Sequence, residues 1–354
     1  MKVLVVDDSI LMRNILKEMF RDSGVAVLGE GSDGRAAVEL NRALRPDLIV
    51  MDINMPGMNG LEATRAIMGE CPTAIVIFSN EIDAKISFQA IQAGAVEVAA
   101  KPDIDQFNDP AYTGKLLKML HAAAGVFGGG RAKQACAPGE SPAPAAETAR
   151  AGRAAGRLAG PASGPRRIEA VVIGASTGGP MAVRDLLRGL PADFPVGIAL
   201  VQHIEERFDK GYAEWLDGEC ELRVRLARDN DSFTPGEVIV APSGHHLVCG
   251  ERRLILADTP PVGNQKPSVD RLFETAALGF GDRLAAVLLT GMGSDGAEGC
   301  VKVKAAGGLT LVQDEATSFI YGMPKAAVER GGAVRVLGLP QIPAALLEAV
   351  GYHG

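Results

Sequence analysis

The chain has 354 residues, of which 47% are hydrophobic and 22% charged, and a formal net charge of −7. That length exceeds what one hydrophobic core usually holds, so we expect two domains. The acidic balance argues against a nucleic-acid partner, and the five cysteines form no C-x-x-C pair typical of a zinc site. No apolar stretch reaches the roughly 18 residues of a membrane span, and no signal peptide follows Met1. We therefore expect a cytoplasmic protein that does not insert into membranes.

Residues 1–121 contain short apolar runs, each followed by a helical pattern. Runs that are apolar throughout indicate strands covered on both faces, and such strands are typical of a parallel sheet. The pattern predicts a doubly wound α/β domain of flavodoxin-like strand order, with its ligand site at the carboxyl ends of the strands. The predicted strands are Val3–Val6, Val25–Gly29, Leu48–Met51, Ala74–Phe78 and Val96–Ala99.

Polar residues follow four of these predicted strands and should converge on one crevice. They are Asp7, Asp8, Asp52, Ser79 and Lys101. Carboxylates that face one another repel, so a hard divalent cation such as Mg²⁺, with Lys101 as a further positive charge, would stabilise them. Such a site suits phosphoryl transfer to one carboxylate. The alternative is that the paired acids merely cap the next helix, which leaves the hydroxyl and the lysine unexplained.

The segments Val5–Ser9, Met51–Gly60 and Lys101-Pro102 resemble those of a response-regulator receiver domain. The resemblance implies that Asp52 is the phosphoacceptor and that a histidine kinase is the phosphodonor. It implies Mg²⁺ ligation by Asp8 and Asp52 with Asp7 nearby, completed by the Asn54 backbone carbonyl, and phosphoryl contacts from Ser79 and Lys101. Receivers often carry an aromatic residue three positions before the lysine and a small residue after the hydroxyl, where this chain has Val98 and Asn80.

Residues 122–167 are rich in Ala, Gly, Pro and Ser and nearly lack large apolar side chains. Such a segment buries too little surface to offset its ordering entropy, so we predict a flexible linker. A local Ala-rich helix over residues 143–159 is the alternative. Residues 168–354 then form the second predicted domain.

The second domain begins with a buried strand, Val171–Gly174, that leads through Ser176 into a helix from about Met181 to Leu190. The segment Gly174–Gly178 fits G-x-S-x-G, the strand-to-helix turn that exposes a nucleophilic serine. A dinucleotide-binding turn would need glycine where Ser176 stands. A purely structural turn is the other alternative.

A serine nucleophile needs a base and an acid that orients the base. Among five histidines, His203 follows the next predicted strand, Val196–Val201, which places it at the same sheet edge as Ser176. His121 borders the linker, His353 lies in the tail, and His245 and His246 fall in a hairpin predicted from Glu237 to Asp258. After the predicted strand Ala286–Leu289, glycines surround Asp295, so that its backbone can approach the far nitrogen of His203.

Five segments of this domain resemble the catalytic domain of CheB-type methylesterases: Gly174–Pro180, Gln202-His203, Pro267–Asp270, Thr290–Ala297 and Tyr321–Pro324. The resemblance implies a triad of Ser176, His203 and Asp295, with an oxyanion site near Thr177 and Met292. It implies hydrolysis of glutamyl methyl esters on the cytoplasmic domains of chemoreceptors, and in some members deamidation of receptor glutamines. It also implies recruitment to membrane receptor arrays, a chemotaxis kinase as phosphodonor, and no cofactor for the esterase.

The sequence thus predicts two doubly wound parallel-sheet domains, the second larger and carrying an antiparallel hairpin. The leading hypothesis is a phosphorylation-activated esterase that acts through an acyl-serine intermediate. A non-catalytic signalling adaptor is the alternative, although an adaptor need not keep all three triad residues. A DNA-binding output is disfavoured by the acidic balance and the lack of a recognisable helix-turn-helix.

Overall fold

The computed structural model describes residues 1–21, 23–79, 84–102, 104–107, 109–128, 168–204 and 208–352. Asn80, His353 and residues 129–167 of the predicted linker lie outside the described residues. The start of that predicted linker, residues 122–128, belongs to a helix that begins at Pro110. Ala123 in this helix packs in the core of the first domain. Among the described residues, no helix is both long and apolar enough to cross a membrane.

The first domain is built on a five-stranded sheet of order β2-β1-β3-β4-β5, in which all pairs are parallel. This is the predicted flavodoxin-like order. The strands are β1 (Lys2–Val6), β2 (Ala26–Gly31), β3 (Leu48–Asp52), β4 (Ala74–Ser79) and β5 (Glu97–Ala100). The helices are α1 (Ile10–Arg21), α2 (Gly34–Leu44), α3 (Gly60–Glu70), α4 (Ala84–Gln92), α5 (Ile104–Phe107) and α6 (Pro110–Gly128).

Both faces of this sheet are buried, which explains why its strands are apolar throughout. Successive strand residues point to opposite faces. Val3 and Val5 therefore pack under α1 and α6 with Phe20 and Leu120. Leu4 and Val6 pack on the other face with α2 and α3. Because the strands are covered on both faces, side chains that take part in chemistry can lie only at the ends of the strands.

The second domain is built on a seven-stranded parallel sheet of order β15-β14-β13-β6-β7-β10-β8, with helices on both faces. Its strands are β6 (Ala170–Ala175), β7 (Gly197–Gln202), β8 (Arg223–Leu226), β10 (Glu237–Val240), β13 (Leu284–Leu288), β14 (Leu309–Gln313) and β15 (Arg335–Leu337). A three-stranded antiparallel sheet contains β9 (Asp231–Ser232), β11 (His246–Gly250) and β12 (Arg253–Ala257). The helices are α7 (Gly179–Arg188), α8 (Asp209–Glu219), α9 (Val269–Phe280), α10 (Ala297–Ala305), α11 (Met323–Glu329) and α12 (Ile342–Val350).

The hairpin predicted from Glu237 to Asp258 was wrong in its first part. β10 pairs in parallel with β7 and β8, and only β11 and β12 form the hairpin. All four residues of β10 are buried, so it is an inner strand covered on both faces. A turn signal after β10 could not distinguish a hairpin from a strand that leaves one sheet for another.

The receiver-like domain contacts the second domain through α4, which packs beside α8. Ile91 packs against the core of the second domain. Gln92 donates a 3.0 Å hydrogen bond from Nε2 to Glu219 Oε1, and Arg188 Nη2 holds the other oxygen of Glu219 at 2.5 Å. The first domain therefore packs against α8, and it also lies near the carboxyl ends of β6 and β7, where residues of both domains line one cavity.

Candidate functional site

The predicted acidic pocket forms at the carboxyl ends of β1 and β3. Asp7 and Asp52 are buried and Asp8 is exposed, and one oxygen from each carboxylate lies within 4.8 Å of the others. Lys101 Nζ lies 2.8 Å from Asp7 Oδ2 and 2.8 Å from Asp52 Oδ2. The structure therefore brings together three acids and a lysine that are separated by up to 94 positions in the chain.

Burial raises the pKa of Asp52, against the opposing effect of the hydrogen bond from Lys101. The carboxylates raise the pKa of Lys101 even though its own burial acts in the other direction. One ammonium group cannot neutralise three carboxylates, so the pocket favours an additional hard cation with oxygen ligands. Ser79 is buried at the end of β4, and Asn54 follows Asp52 by two residues with an exposed side chain.

The predicted nucleophile turn joins β6 to α7. Ser176 follows β6, and its carbonyl accepts a 2.7 Å hydrogen bond from Gly179 N, which closes the turn. Gly178 has φ of +75°, in the left-handed region that a residue with a side chain adopts only under strain. Pro180 occupies the first turn of α7, as expected. Ser176 is thereby held where a strand ends and a helix begins.

His203 follows β7 directly, and the structure places it beside this turn. Its backbone N–H donates to Ala175 O at 3.0 Å. Its Nε2 lies 2.8 Å from Asp295 Oδ2, and Nδ1 is buried with no hydrogen-bond partner among the described residues. Ser176 and His203 line the same cavity. With Nε2 taken by the acid, Nδ1 is the nitrogen left to accept a proton.

Asp295 lies in the loop before α10, and its carboxylate accepts several hydrogen bonds from the start of α9. Val269 N donates to Oδ2 at 2.8 Å, while Ser268 Oγ and Asp270 N donate to Oδ1 at 2.9 Å each. Burial acts to raise the pKa of Asp295, but the bonds from His203 and the backbone hold it below its ordinary value. The acid therefore stays ionised and fixes the orientation of the imidazole.

The glycines expected to allow close approach around Asp295 do so. A Cβ added to Gly291 would lie 2.7 Å from Ser176 Cβ and 2.3 Å from Met323 Sδ. The Ser176 backbone N–H donates to Thr290 O at 3.0 Å across this contact. Any side chain at Gly291 would push the loop that carries Asp295 away from the nucleophile turn.

The residues of the expected oxyanion region lie in these same two loops. Thr177 lines the cavity with Ser176. Its carbonyl accepts a 3.0 Å hydrogen bond from Thr290 Oγ1. Met292 follows the tightly packed Gly291, and a Cβ on Gly322 would lie 3.3 Å from Met292 Cα. Both backbones are thus confined beside the nucleophile.

Sequence reasoning gave no individual role to several residues that hold the predicted triad residues in place. Ser268 is the N-cap of α9 and also a donor to Asp295. Its backbone N–H in turn contacts Nδ1 of the buried His246 at 3.2 Å. A serine directly before a helical apolar pattern is an N-cap signal, so the start of α9 could have been predicted. That this helix start faces Asp295 could not.

Asp270 should make stability depend on pH, because burial, together with the negative Asp295 beside it, raises its pKa to about 6. Between its ordinary value of 3.8 and about 6, the folded protein holds a proton here that the unfolded chain releases. The contribution of Asp270 to the free energy of unfolding is therefore fully present at low pH and is lost as the pH rises through that window. Asp270→Asn keeps an acceptor for Gly299 N–H, now 2.7 Å from Oδ1, and abolishes the titration.

We expect Asp270→Asn to gain about 1–2 kcal/mol over wild type between about pH 4 and pH 7, with solvent screening taken into account. Thermal unfolding of both proteins across this range measures the difference. If the stabilities of the two proteins differed by the same amount at every pH, a raised pKa at Asp270 would be contradicted.

The cavity next to Ser176 is shared by the two domains and has a volume of about 310 Å³. The second domain contributes Ser176, Thr177, Gln202 and His203, among others. The receiver-like domain contributes Ile91, Glu97, Val98, Ala99 and Met119. The first domain therefore forms one wall of the space that a substrate of Ser176 would occupy.

Comparisons with known proteins match both parts of the chain. A family model described as CheB methylesterase matches residues 171–346, and one described as response regulator receiver domain matches residues 3–109. Protein-glutamate methylesterase/protein-glutamine glutaminase 2 of Anaeromyxobacter dehalogenans is 44% identical, over 98% of this chain and 96% of its own. The enzyme numbered 1 of Geobacter sulfurreducens is 39% identical, over 97% and 95%. The crystal structure of the Thermotoga maritima CheB methylesterase catalytic domain is 38% identical, covers 51% of this chain and 98% of that chain, and has a TM-score of 0.49.

Proposed function

The chain belongs to the family of CheB protein-glutamate methylesterases, and from this premise we propose that it hydrolyses glutamyl methyl esters on the cytoplasmic domains of chemoreceptors when its receiver domain is phosphorylated. The names of its relatives support a second activity on the same site, the deamidation of receptor glutamines. Both reactions attack a side-chain carboxyl derivative and leave a glutamate side chain on the receptor. They differ in the leaving group, which is methanol from the ester and ammonia from the amide.

In the proposed reaction, Ser176 Oγ attacks the ester carbonyl while His203 Nδ1 takes its proton. Backbone N–H groups near Thr177 and Met292 stabilise the oxyanion. The protonated imidazole, held by Asp295, then gives the proton to the departing methoxide, and methanol leaves an acyl-serine. Water, activated by His203, hydrolyses this intermediate, which frees Ser176 and leaves the receptor residue as a glutamate side chain. Every step uses residues of the chain, without a cofactor.

One observation carries this proposal. His203 is paired with an ionised acid through Nε2. Within the part of the chain that the structure describes, its other nitrogen is buried without a hydrogen-bond partner, next to the cavity that Ser176 lines. A histidine that served only to support the fold would be expected to use both nitrogens. Reaction with a serine-reactive phosphonate, followed by location of the adduct by mass spectrometry, tests the assignment. An adduct at any residue other than Ser176 would overturn it.

For the receiver we propose Asp52 as phosphoacceptor, with Asp7, Asp8 and Asp52 and the Asn54 carbonyl as Mg²⁺ ligands. The clustered carboxylates support this ligand set. When bound, the cation would neutralise the acids and the incoming phosphoryl oxygens. Ser79 and Lys101 would contact the phosphoryl group, and a chemotaxis histidine kinase would supply it. We further propose that the residues between α6, which ends at Gly128, and residue 168 link the receiver to the esterase, and that the protein works in the cytoplasm at membrane receptor arrays.

We also propose that the receiver restrains the esterase by occupying the approach to Ser176. The shared cavity and the packing of Ile91 on the catalytic domain support this. A receptor helix is about 10–12 Å across with its side chains, and the receiver lines the 310 Å³ cavity beside Ser176. In this proposal the receiver moves away before such a helix reaches the serine. Val98, at the position where receivers often carry an aromatic residue, lines this same space.

Removal of this restraint should raise activity without phosphorylation. We expect fragment 168–354 to hydrolyse a methylated receptor peptide on the order of tenfold faster than the unphosphorylated full chain, which corresponds to about 1.4 kcal/mol of closure. In the full chain, Ile91→Asp should weaken the apolar contact and act in the same direction. Ile10→Asp is the matched control, because Ile10 is 66% exposed on α1. Equal rates for fragment, Ile91→Asp and wild type would rule out occlusion.

A further inference from the structure

Gln202, the last residue of β7, lies behind the nucleophile turn with only 2% of its surface exposed. Its side-chain Nε2 donates a 2.8 Å hydrogen bond to Ser176 O and a 3.0 Å hydrogen bond to His203 O. In the sheet register, Gln202 lies opposite Ala175. One carboxamide therefore joins the backbones of the two residues that exchange a proton in the proposed reaction.

The orientation of this carboxamide follows from its partners. Both partners are carbonyl oxygens, so the NH₂ group has to face them. Gln202 Oε1 is then left buried, and none of the residues that the structure describes donates a hydrogen bond to it. A Cβ on Gly179 would lie 2.1 Å from this oxygen. The first residue of α7 thus has to be glycine so that the helix can begin against Gln202.

Stability alone does not account for this arrangement. A buried acceptor without a partner destabilises the folded state. Ser176 O already accepts from Gly179 N at 2.7 Å, so the turn is closed without the second donor. An apolar side chain of similar length would fill the same space and leave no unpaired oxygen. Local departures of this kind are expected where function constrains a residue.

The bonds of Gln202 act on the spacing between nucleophile and base. His203 N donates to Ala175 O at 3.0 Å and fixes the start of the contact between the two loops. The Gln202 carboxamide adds a second link between the same two segments, to the carbonyl of Ser176, which is one residue beyond Ala175. With two links in place, the loops cannot rotate relative to each other about the bond between His203 N and Ala175 O. A shift of about 1 Å between reacting groups can lower a rate roughly 100-fold.

We propose that Gln202 is a positioning residue for the ester hydrolysis: its carboxamide clamps the carbonyls of Ser176 and His203 and so aligns the serine oxygen with the imidazole. This rests on the proposed roles of Ser176 and His203. Although Gln202 also lines the cavity, both hydrogen bonds of its side chain go to the carbonyls of Ser176 and His203, so it acts through those two residues. Its loss should therefore lower kcat and leave KM for the receptor peptide nearly unchanged.

The test is Gln202→Met in the full chain, which keeps the length of the side chain and removes the donor. We expect kcat to fall roughly 10- to 100-fold, and the rate constant for inactivation by a serine-reactive phosphonate to fall by a similar factor. Gln202→Asn keeps the amide but is one methylene too short to reach both carbonyls, so it should show the same loss. Gln341→Met is the matched control, because Gln341 also binds backbone, at Gly338 N, but outside the site.

Circular dichroism and thermal unfolding establish that each variant is folded. A rise in KM at unchanged kcat, or phosphonate inactivation at the wild-type rate in both folded variants, would overturn the positioning role. The adduct site in the wild type tests the role of Ser176 separately from the role of Gln202. An adduct away from Ser176 would refute the premise, whereas an adduct at Ser176 with fast inactivation of Gln202→Met would refute only the role of Gln202.

Discussion

Replacement of Ser176 by alanine should lower the rate of methyl ester hydrolysis by roughly four to six orders of magnitude. The covalent route through an acyl-serine disappears, and only substrate binding and oxyanion contacts remain. Turnover of a methylated receptor peptide by the catalytic fragment and by the full chain measures the effect. Ser232→Ala is a matched control, because Ser232 is an exposed serine in the small antiparallel sheet.

Asp295→Asn should cost less than Ser176→Ala, because the acid orients and stabilises the imidazole and forms no bond to substrate. The asparagine retains one acceptor for the donors at the start of α9 but loses the charge that faces His203 Nε2. Substantial activity in Ser176→Ala would refute the nucleophile assignment. Wild-type activity in Asp295→Asn would remove that acid from the triad and leave the other two residues.

Replacement of Asp52 by asparagine should abolish the uptake of phosphate from acetyl phosphate, and chelation of Mg²⁺ should abolish it in the wild type. An amide cannot act as the attacking carboxylate. Without a cation, Asp7, Asp8 and Asp52 repel an anionic donor, since Lys101 is the one ammonium group among the described residues that contacts the buried pair. Radiolabel incorporation with and without EDTA measures both effects.

A matched control lies at the other end of the same strand. Asp47 directly precedes β3 and accepts a hydrogen bond from Lys2 N at 2.8 Å. Asp47→Asn therefore changes an aspartate at the opposite sheet edge and should label normally. Labelling that survives both EDTA and Asp52→Asn would refute the metal-dependent pocket. Loss of labelling in Asp47→Asn would indicate that such variants disturb the fold of the receiver.

The sequence by itself determined the strands and the residues that follow them. Strands such as Val3–Val6 and Val171–Gly174 are apolar throughout, and this pattern indicates parallel sheets buried on both faces. In such sheets chemistry collects where the strands end at one edge. Asp52, Ser176 and His203 could therefore be assigned to sites before any contact was known. Asp295 could be added because glycines on both sides let its loop approach another group.

Only the tertiary structure decided how these residues are supported and covered. The start of α9 binds Asp295 although Ser268 precedes it by 27 positions. β10 joins the parallel sheet instead of the hairpin. Gln202 ties two loops together, and the receiver forms a wall of the catalytic cavity. Each of these depends on packing between segments far apart in the chain, whereas periodicity and turn signals report only on neighbours along it.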